Sequence, residues 1–216
     1  MQSNQTVVIC CAGMGNRLGM NIAKSLVDIN GVPLIIRQLE MLKEVEDIKI
    51  VVGFQAQKVI DLVGSFRNDI TFVYNKDYRT TGTGASFCLG AENSKEMVMS
   101  LDGDLLVHPD DMKKILQHKE EFVGGGIPSS EEPWYLKMKI HEGVECVESF
   151  TREKSEYEWT GIMKVKRNRL GSGNGHVFQL IEPLLPIPLL SLRTKEIDTL
   201  GDYNNAVRWV KNNYID

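Results

Sequence analysis

Thr6-Val7-Val8-Ile9-Cys10-Cys11-Ala12-Gly13-Met14-Gly15-Asn16-Arg17-Leu18-Gly19 is an apolar run that breaks into a glycine-rich turn carrying one cation. The run reads as a first strand over 6–12. Glycines at its end let backbone N–H groups come close to a phosphate and allow backbone angles that other residues resist. Arg17 suits an oxyanion, because its charge is permanent and its planar fork can meet two oxygens at once. Two common phosphate-binding patterns do not fit. The dinucleotide fingerprint wants glycine at position 18, where leucine stands, and an acid after the second strand, where Gly53-Phe54-Gln55 stands. The Gly-Lys-Ser/Thr ending of the NTPase loop is missing too. A structural turn and an anion cradle both remain compatible with this stretch taken alone.

Outward from the loop, apolar runs at 48–53, 70–74 and 97–101 predict further strands, separated by amphipathic helices over 33–45, 55–64, 84–93 and 109–119. Such alternation implies a mostly parallel, doubly wound α/β sheet with helices on both faces. Pro109, after His108, fits the first position of its helix. From about 122 the pattern changes. Segments 133–140, 143–150 and 157–166 alternate apolar and polar residues and predict antiparallel strands forming an edge or lid. A final helix follows Asp198, with Ala206, Val207, Trp209 and Val210 on its apolar side. Open parallel sheets bind ligands beyond the C-terminal strand ends. That directs attention to the residues after 12, after 101 and near 198.

With 216 residues, 42% hydrophobic and 25% charged, the chain is expected to be one domain over 1–216 with a sizeable core. A net charge of −4 argues against nucleic acid as partner. No apolar run approaches the about 20 residues of a membrane span. The polar start at Met1–Gln5 lacks the basic region and cleavage site of a signal peptide, so a cytoplasmic location is expected. Cys10, Cys11, Cys88 and Cys146 show no metal spacing and read as small thiols of a reducing compartment. The adjacent pair Cys10 and Cys11 should point to opposite faces of the strand.

Four other stretches carry chemistry. Lys24-Ser25-Leu26-Val27 places a second cation seven residues past Arg17. Asn75-x-x-Tyr78-x-x-Thr81-Gly82-Thr83-Gly84-Ala85-Ser86 offers a turn that could face a flat heterocycle or simply cap a helix. Leu101-Asp102-Gly103-Asp104 ends a buried strand with carboxylates suited to Mg²⁺, a cation of hard oxygen ligands. Asp104 outranks Asp102 here, because the intervening glycine lets the chain bend round a metal. Asp198, in Glu196-Ile197-Asp198-Thr199, could cap the last helix or supply a second carboxylate to that ion.

Cys11-Ala12-Gly13-Met14-Gly15-Asn16-Arg17-Leu18, Lys24-Ser25-Leu26-Val27, Asn30-Gly31-x-Pro33-Leu34-Ile35, Gly103-Asp104, Gly161-Ile162 and Glu196-Ile197-Asp198 together resemble the MobA-like, sugar-nucleotide type NTP transferase superfamily. The resemblance implies a Rossmann-like α/β/α fold and transfer of a nucleotidyl group to a phosphorylated acceptor. It implies that Cys11, Ala12, Gly13, Gly15 and Asn16 line the triphosphate, that Arg17 and Lys24 neutralise it, and that Asp104 and Asp198 hold Mg²⁺. Gly82, Thr83 and Ser86 would lie towards the base. Residues 1–120 would then be the nucleotide-binding half and 121–216 the acceptor-binding half. The sequence departs from the family at Ala23, where proline usually precedes the lysine, and at Cys11, where alanine is common. No left-handed β-helix is expected to follow, which sets the acetyltransferase fusions aside.

Within the superfamily, Asn75 to Ser86, Trp159-Thr160-Gly161-Ile162 and Glu196-Ile197-Asp198-Thr199 look most like the phosphocholine cytidylyltransferase branch. The turn Thr81-Gly82-Thr83 is instead similar to uridylyl- and thymidylyltransferases of sugar phosphates, so a pyrimidine nucleotide is expected, with CTP ahead of UTP or dTTP. Lys154, Glu158, Trp159 and Glu196 are the candidates to meet a small phosphorylated acceptor, with Lys164 close by. Trp134, Tyr135, Tyr157 and Trp159 could receive a quaternary ammonium group, as aromatic faces attract cations, or could serve as packing. Gly171 to His176 reads as a mobile loop, and a homodimer stays open.

Overall fold

The computed structural model describes residues 4–214; the polar start read at Met1–Ser3 lies outside them. Strand β1 (Gln5–Cys11) leads into two 3-10 turns and a small ribbon, β2 (Asp28–Ile29) with β3 (Val32–Pro33). Helix α1 (Leu34–Met41), β4 (Ile48–Val52), α2 (Ala56–Phe66), β5 (Thr71–Tyr74), α3 (Thr83–Ala91) and β6 (Met97–Asp102) follow in the expected alternation. Their strands lie in the order β5-β4-β1-β6, all parallel. The two-residue period of β1 explains why helices cover both faces. Val7, Ile9 and Cys11 join a core with Ile35, Leu39 and Val59, while Val8 and Ala12 join a second with Phe87 and Ala91. Cys10 packs against this second core, so the two neighbouring thiols do face opposite ways. Helix α3 lies tight on the sheet, since a methyl group at Gly90 would sit 2.3 Å from Val8 Cγ1.

The second half adds β7 (Leu105–Val107), α4 (Pro109–Gln117), β8 (Phe122–Gly126), β9 (Tyr135–His141), β10 (Val144–Thr151) and β11 (Tyr157–Lys166). Then come α5 (Val177–Ile181), β12 (Ile187–Ser191), β13 (Thr194–Glu196) and α6 (Leu200–Asn213). Segment 157–166 is no edge strand. It lies in the sheet's interior, antiparallel to β6 on one side and β8 on the other, and the sheet continues through β12 and β10 to β9. Of the three segments β9 borders the sheet with β10 beside it, and β9 curls back to pair with β11. The alternation misleads because Lys164 sits at an apparently outward polar position yet is 1% exposed. Its ammonium donates to Ile115 O at 2.9 Å and His118 O at 2.8 Å, meeting carbonyls left over at the end of α4. At the other end of α4, Pro109 takes the first position and His108 Nδ1 accepts from Asp110 N.

Burial pushes the Lys164 ammonium down to about 8, below the about 10.4 of an unfolded lysine. Below both values each state carries the proton and the fold bears a buried charge. Between them the unfolded chain binds more protons, so stability rises with pH across the window from about 8 to about 10.4. The urea midpoint of the wild type, measured against Lys164→Met, should therefore climb across that window. A constant difference would contradict it.

Strand β8 is the element the sequence hides. Gly124, Gly125 and Gly126 carry no apolar pattern, but the whole strand is buried. A methyl group at Gly124 would lie 2.5 Å from Thr160 Oγ1 and 2.8 Å from Leu192 Cδ1. Gly124→Val should cost about 1–3 kcal/mol through overpacking, read as a lowered urea midpoint; an unchanged midpoint would contradict the packing. Among the described residues no helix is long and apolar enough to cross a membrane.

Candidate active site

A cavity of about 890 Å³ opens at the C-terminal ends of β1 and β6, where the parallel sheet leaves its crevice. Its first wall is the glycine loop. Gly15 has φ +60°, and a methyl group there would meet Lys24 Cγ at 2.7 Å, so both backbone angle and space call for glycine. Among the described residues nothing accepts from the N–H groups of Gly13 and Gly15. They are the donors an anion would need. Gly13, Gly15, Asn16, Arg17 and Lys24 all line the cavity. Ala23 has φ −59°, which proline would match, but its N–H donates to Gln55 Oε1 at 3.1 Å. Gln55 in turn donates to Asn21 O at 3.1 Å, so a hydrogen-bonded side chain steadies the lysine's loop.

The second wall is acidic. β13 pairs with β7 so that Glu196 stands opposite Leu105, and Ile197 N donates to Asp104 O at 3.0 Å. This pairing carries Glu196 and Asp198 across more than ninety residues of sequence to Asp104, and one oxygen of each lies within 4.8 Å of the others. Lys24 Nζ donates to Asp104 Oδ2 at 2.7 Å and closely to Asp198 Oδ1, while Arg17 pairs with Asp198 Oδ2. Burial works against the Lys24 charge, yet Asp104 and Asp198 outweigh it and hold its pKa above the ordinary lysine value. Loss of water, then the charges of Asp104 and Asp198, push the Glu196 carboxyl up to about 7, although part of its side chain reaches solvent. Asp198 is not the cap of α6. Thr199 is, its hydroxyl accepting from Asp202 N while Asp202 accepts from Thr199 N at 2.9 Å.

Asp102, ranked behind Asp104 from sequence, forms the floor. Burial, then Asp104 and Glu196, raise its carboxyl well above the usual range, and Oδ1 has no hydrogen-bond partner among the described residues. A bulge in β11 makes room for it: Gly161 has φ +80°, and a methyl group there would lie 2.8 Å from Asp102 Oδ2. The donor set fits a divalent cation. Asp104, Glu196 and Asp198 are hard oxygen ligands drawn together, with an unpartnered carboxylate oxygen beneath them. Cys10 and Cys11 also reach the cavity, but burial lifts both thiols, Cys11 to about 12, so neither is a thiolate nucleophile.

The third wall is aromatic. Trp134 and Phe178 pack at 4.5 Å between centroids, Phe150 meets Phe178 at 5.3 Å and the edge of Trp159 at 5.6 Å, and His176 stacks on Phe178. The Arg152 guanidinium already covers one face of Trp134, 4.0 Å from its centroid. The loop Ser129–Glu132 completes this side.

Several expected residues lie elsewhere. Ala12 is buried outside the lining, its carbonyl accepting from Phe54 N. Ser86 is 4% exposed and accepts from Asn75 Nδ2 at 2.9 Å, which makes it part of the scaffold. Gly82 N and Gly84 N donate to Asn174 O and Gly175 O at 2.8 Å, so the supposedly mobile loop docks on the start of α3 and caps it. Thr83 alone of Gly82, Thr83 and Ser86 reaches the cavity. Lys154 is exposed and does not line this cavity, and Lys164 points to α4. Glu158 is buried behind the 129–130 loop rather than open to a ligand. Glu196, expected near an acceptor, stands among the metal-type carboxylates. Sequence reasoning missed Phe178, Arg152 and the 129–132 loop, which no short-range pattern marks: α5 carries Phe178 to the cavity, and the pairing of β9 with β11 brings the loop beside it.

A glycine loop with two cations facing clustered carboxylates, at the crevice of a doubly wound sheet, defines a protein that handles nucleoside triphosphates. The chain belongs to the MobA-like NTP transferase domain family, whose model matches residues 7–152. It is 26% identical over 192 residues to the bifunctional protein GlmU of Wolinella succinogenes, covering 88% of this chain and 42% of that relative. The chain thus spans less than half the length of that relative. In fold it is similar to the CTP:phosphocholine cytidylyltransferase LicC of Streptococcus pneumoniae, with TM-score 0.76, 20% identity, and 95% and 99% of the two chains covered. The inositol-1-phosphate CTP transferase of T. maritima gives 0.77 at 16% identity, with 98% and 97% covered.

Proposed function

We propose that this protein joins CTP to a small phosphorylated acceptor, phosphocholine-like or a phosphonate, with release of pyrophosphate. The observation that carries the reading is the convergence of Arg17 and Lys24 on Asp104 and Asp198 beside the free N–H groups of the glycine loop. Cations and donors on one side suit a triphosphate; carboxylates on the other suit the Mg²⁺ that accompanies it. The choice of CTP draws on the motif resemblance and on two fold neighbours named for CTP. Four free cysteines accord with a cytoplasmic enzyme.

An acceptor phosphate or phosphonate oxygen attacks the α-phosphorus, forming the new P–O bond as the bond to the β-phosphate breaks. The electron pair leaves on pyrophosphate. That nucleophile is already anionic at neutral pH, so the chain needs no strong base, and positioning with charge compensation supplies the rate. Arg17 and Lys24 move from their carboxylates to the phosphates and stabilise the charge gathering on the leaving group. Asp104, Asp198 and Glu196 would hold Mg²⁺, which when bound supplies Lewis-acid charge compensation. Trp159, Phe178 and the 129–132 loop enclose the acceptor.

The test is pyrophosphate release with each of the four NTPs, Mg²⁺ and a panel of phosphorylated acceptors. CTP with a small non-sugar acceptor should be preferred. Preference for UTP or dTTP with a sugar 1-phosphate would replace the reading with a sugar-nucleotide one, and no release from any pair would favour a binding module.

A further inference from the structure

The loop of residues 129–134 crosses the aromatic side of the cavity without belonging to any strand, and two side chains fasten its ends. Glu158, 7% exposed, accepts from Ser129 N at 3.0 Å, from Ser129 Oγ at 3.3 Å and from Ser130 N at 3.1 Å. A buried carboxylate is costly unless such donors surround it, and hydrogen bonds to a charged group are the strong ones. At the other end Arg152 Nη1 donates to Glu132 O at 2.7 Å and Pro133 O at 3.0 Å, while its plane lies over Trp134. Arg152 directly follows β10 and Glu158 stands in β11, two strands that both pair with β9, the strand into which the loop leads. Among the described residues neither side chain shares a hydrogen bond, ion pair or ring contact with the glycine loop or the carboxylate cluster.

We infer that Glu158 and Arg152 are positioning residues for the acceptor, a pair of clasps that keep the 129–134 loop and Trp134 in place as the acceptor wall. The nucleotide side of the cavity does not depend on them. The acceptor role rests on the transferase reading above, whereas the clasping itself does not.

Two measurements test this on the full chain. In Glu158→Gln, hydrogen exchange at the Ser129 and Ser130 amides should quicken at least about tenfold while exchange in the glycine loop stays as in the wild type. Unchanged exchange at Ser129 and Ser130 overturns the clasp, whatever turnover shows. With CTP and whichever of phosphocholine or aminoethylphosphonate the wild type uses, Glu158→Gln and Arg152→Ala should each raise the acceptor KM about tenfold and leave the CTP KM unmoved. Arg152→Lys keeps the charge but cannot span two carbonyls while lying flat on Trp134, so it should fail to restore the KM. Full rescue by lysine, or a parallel rise in both KM values, overturns the positioning role. A wild type that releases no pyrophosphate refutes the transferase reading, and the exchange measurement still decides the clasp.

Discussion

Lys24→Ala should lower turnover by about 10²–10³, the scale seen when one preorganised charge is removed from a transition state. The residue is positioned to matter on both sides of the reaction. Without ligand it bridges Asp104 and Asp198, with only 15% of its side chain exposed. In the proposed reaction it would follow the charge onto the departing pyrophosphate. The loss should appear in kcat, because charge builds on the leaving group only as the bond breaks. Lys24→Met, which keeps the aliphatic bulk, should show the same loss. It should also leave the carboxylates to repel one another, so its thermal midpoint should rise on adding Mg²⁺ by more than the wild type's does. Near-full turnover in Lys24→Ala would remove the assignment.

Asp104→Asn and Asp198→Asn should each depress turnover by at least about 10² and weaken Mn²⁺ binding measured directly in the presence of CTP. Asp202→Asn is the comparison that gives this meaning. Asp202 lies four residues from Asp198 and also reaches the cavity lining, but its carboxylate is committed to the amides of Asp198 and Thr199 at the start of α6. Losing that charge should cost about 0.5–2 kcal/mol of helix capping and leave Mn²⁺ binding nearly as it was. Equal loss of Mn²⁺ in all three variants would mean that the effect is general disruption and not ligation.

Much of this could be read directly. The alternation of β1 with helical segments predicts the parallel half, and the four strands and four helices expected there are present with ends shifted by a few residues. Those signals are local: a two-residue period, a 3.6-residue period, and the glycines and prolines that punctuate them. The second half was less legible for particular reasons. Gly124-Gly125-Gly126 form a buried strand with no side-chain pattern to declare it. Lys164 counterfeits an outward position because its ammonium is satisfied by carbonyls of another element. Glu158 was legible as a charge near the acceptor region, but its burial under the 129–130 loop was not.

The glycine loop, Arg17, Lys24 and the carboxylates at 104 and 198 were fixed by the chain itself, because residue type and local backbone demands are written at each position. Their assembly was decided by tertiary structure. Whether Asp198 capped a helix or faced Asp104 depended on β13 pairing with β7, a contact between segments about ninety residues apart. Whether Asp102 had room depended on the bulge at Gly161, and what stood behind the aromatic wall depended on β9 curling onto β11. Sequence determines which groups can meet a phosphate or a metal; only long-range strand pairing, set by how both faces of the sheet bury their apolar surface, determines which of them do.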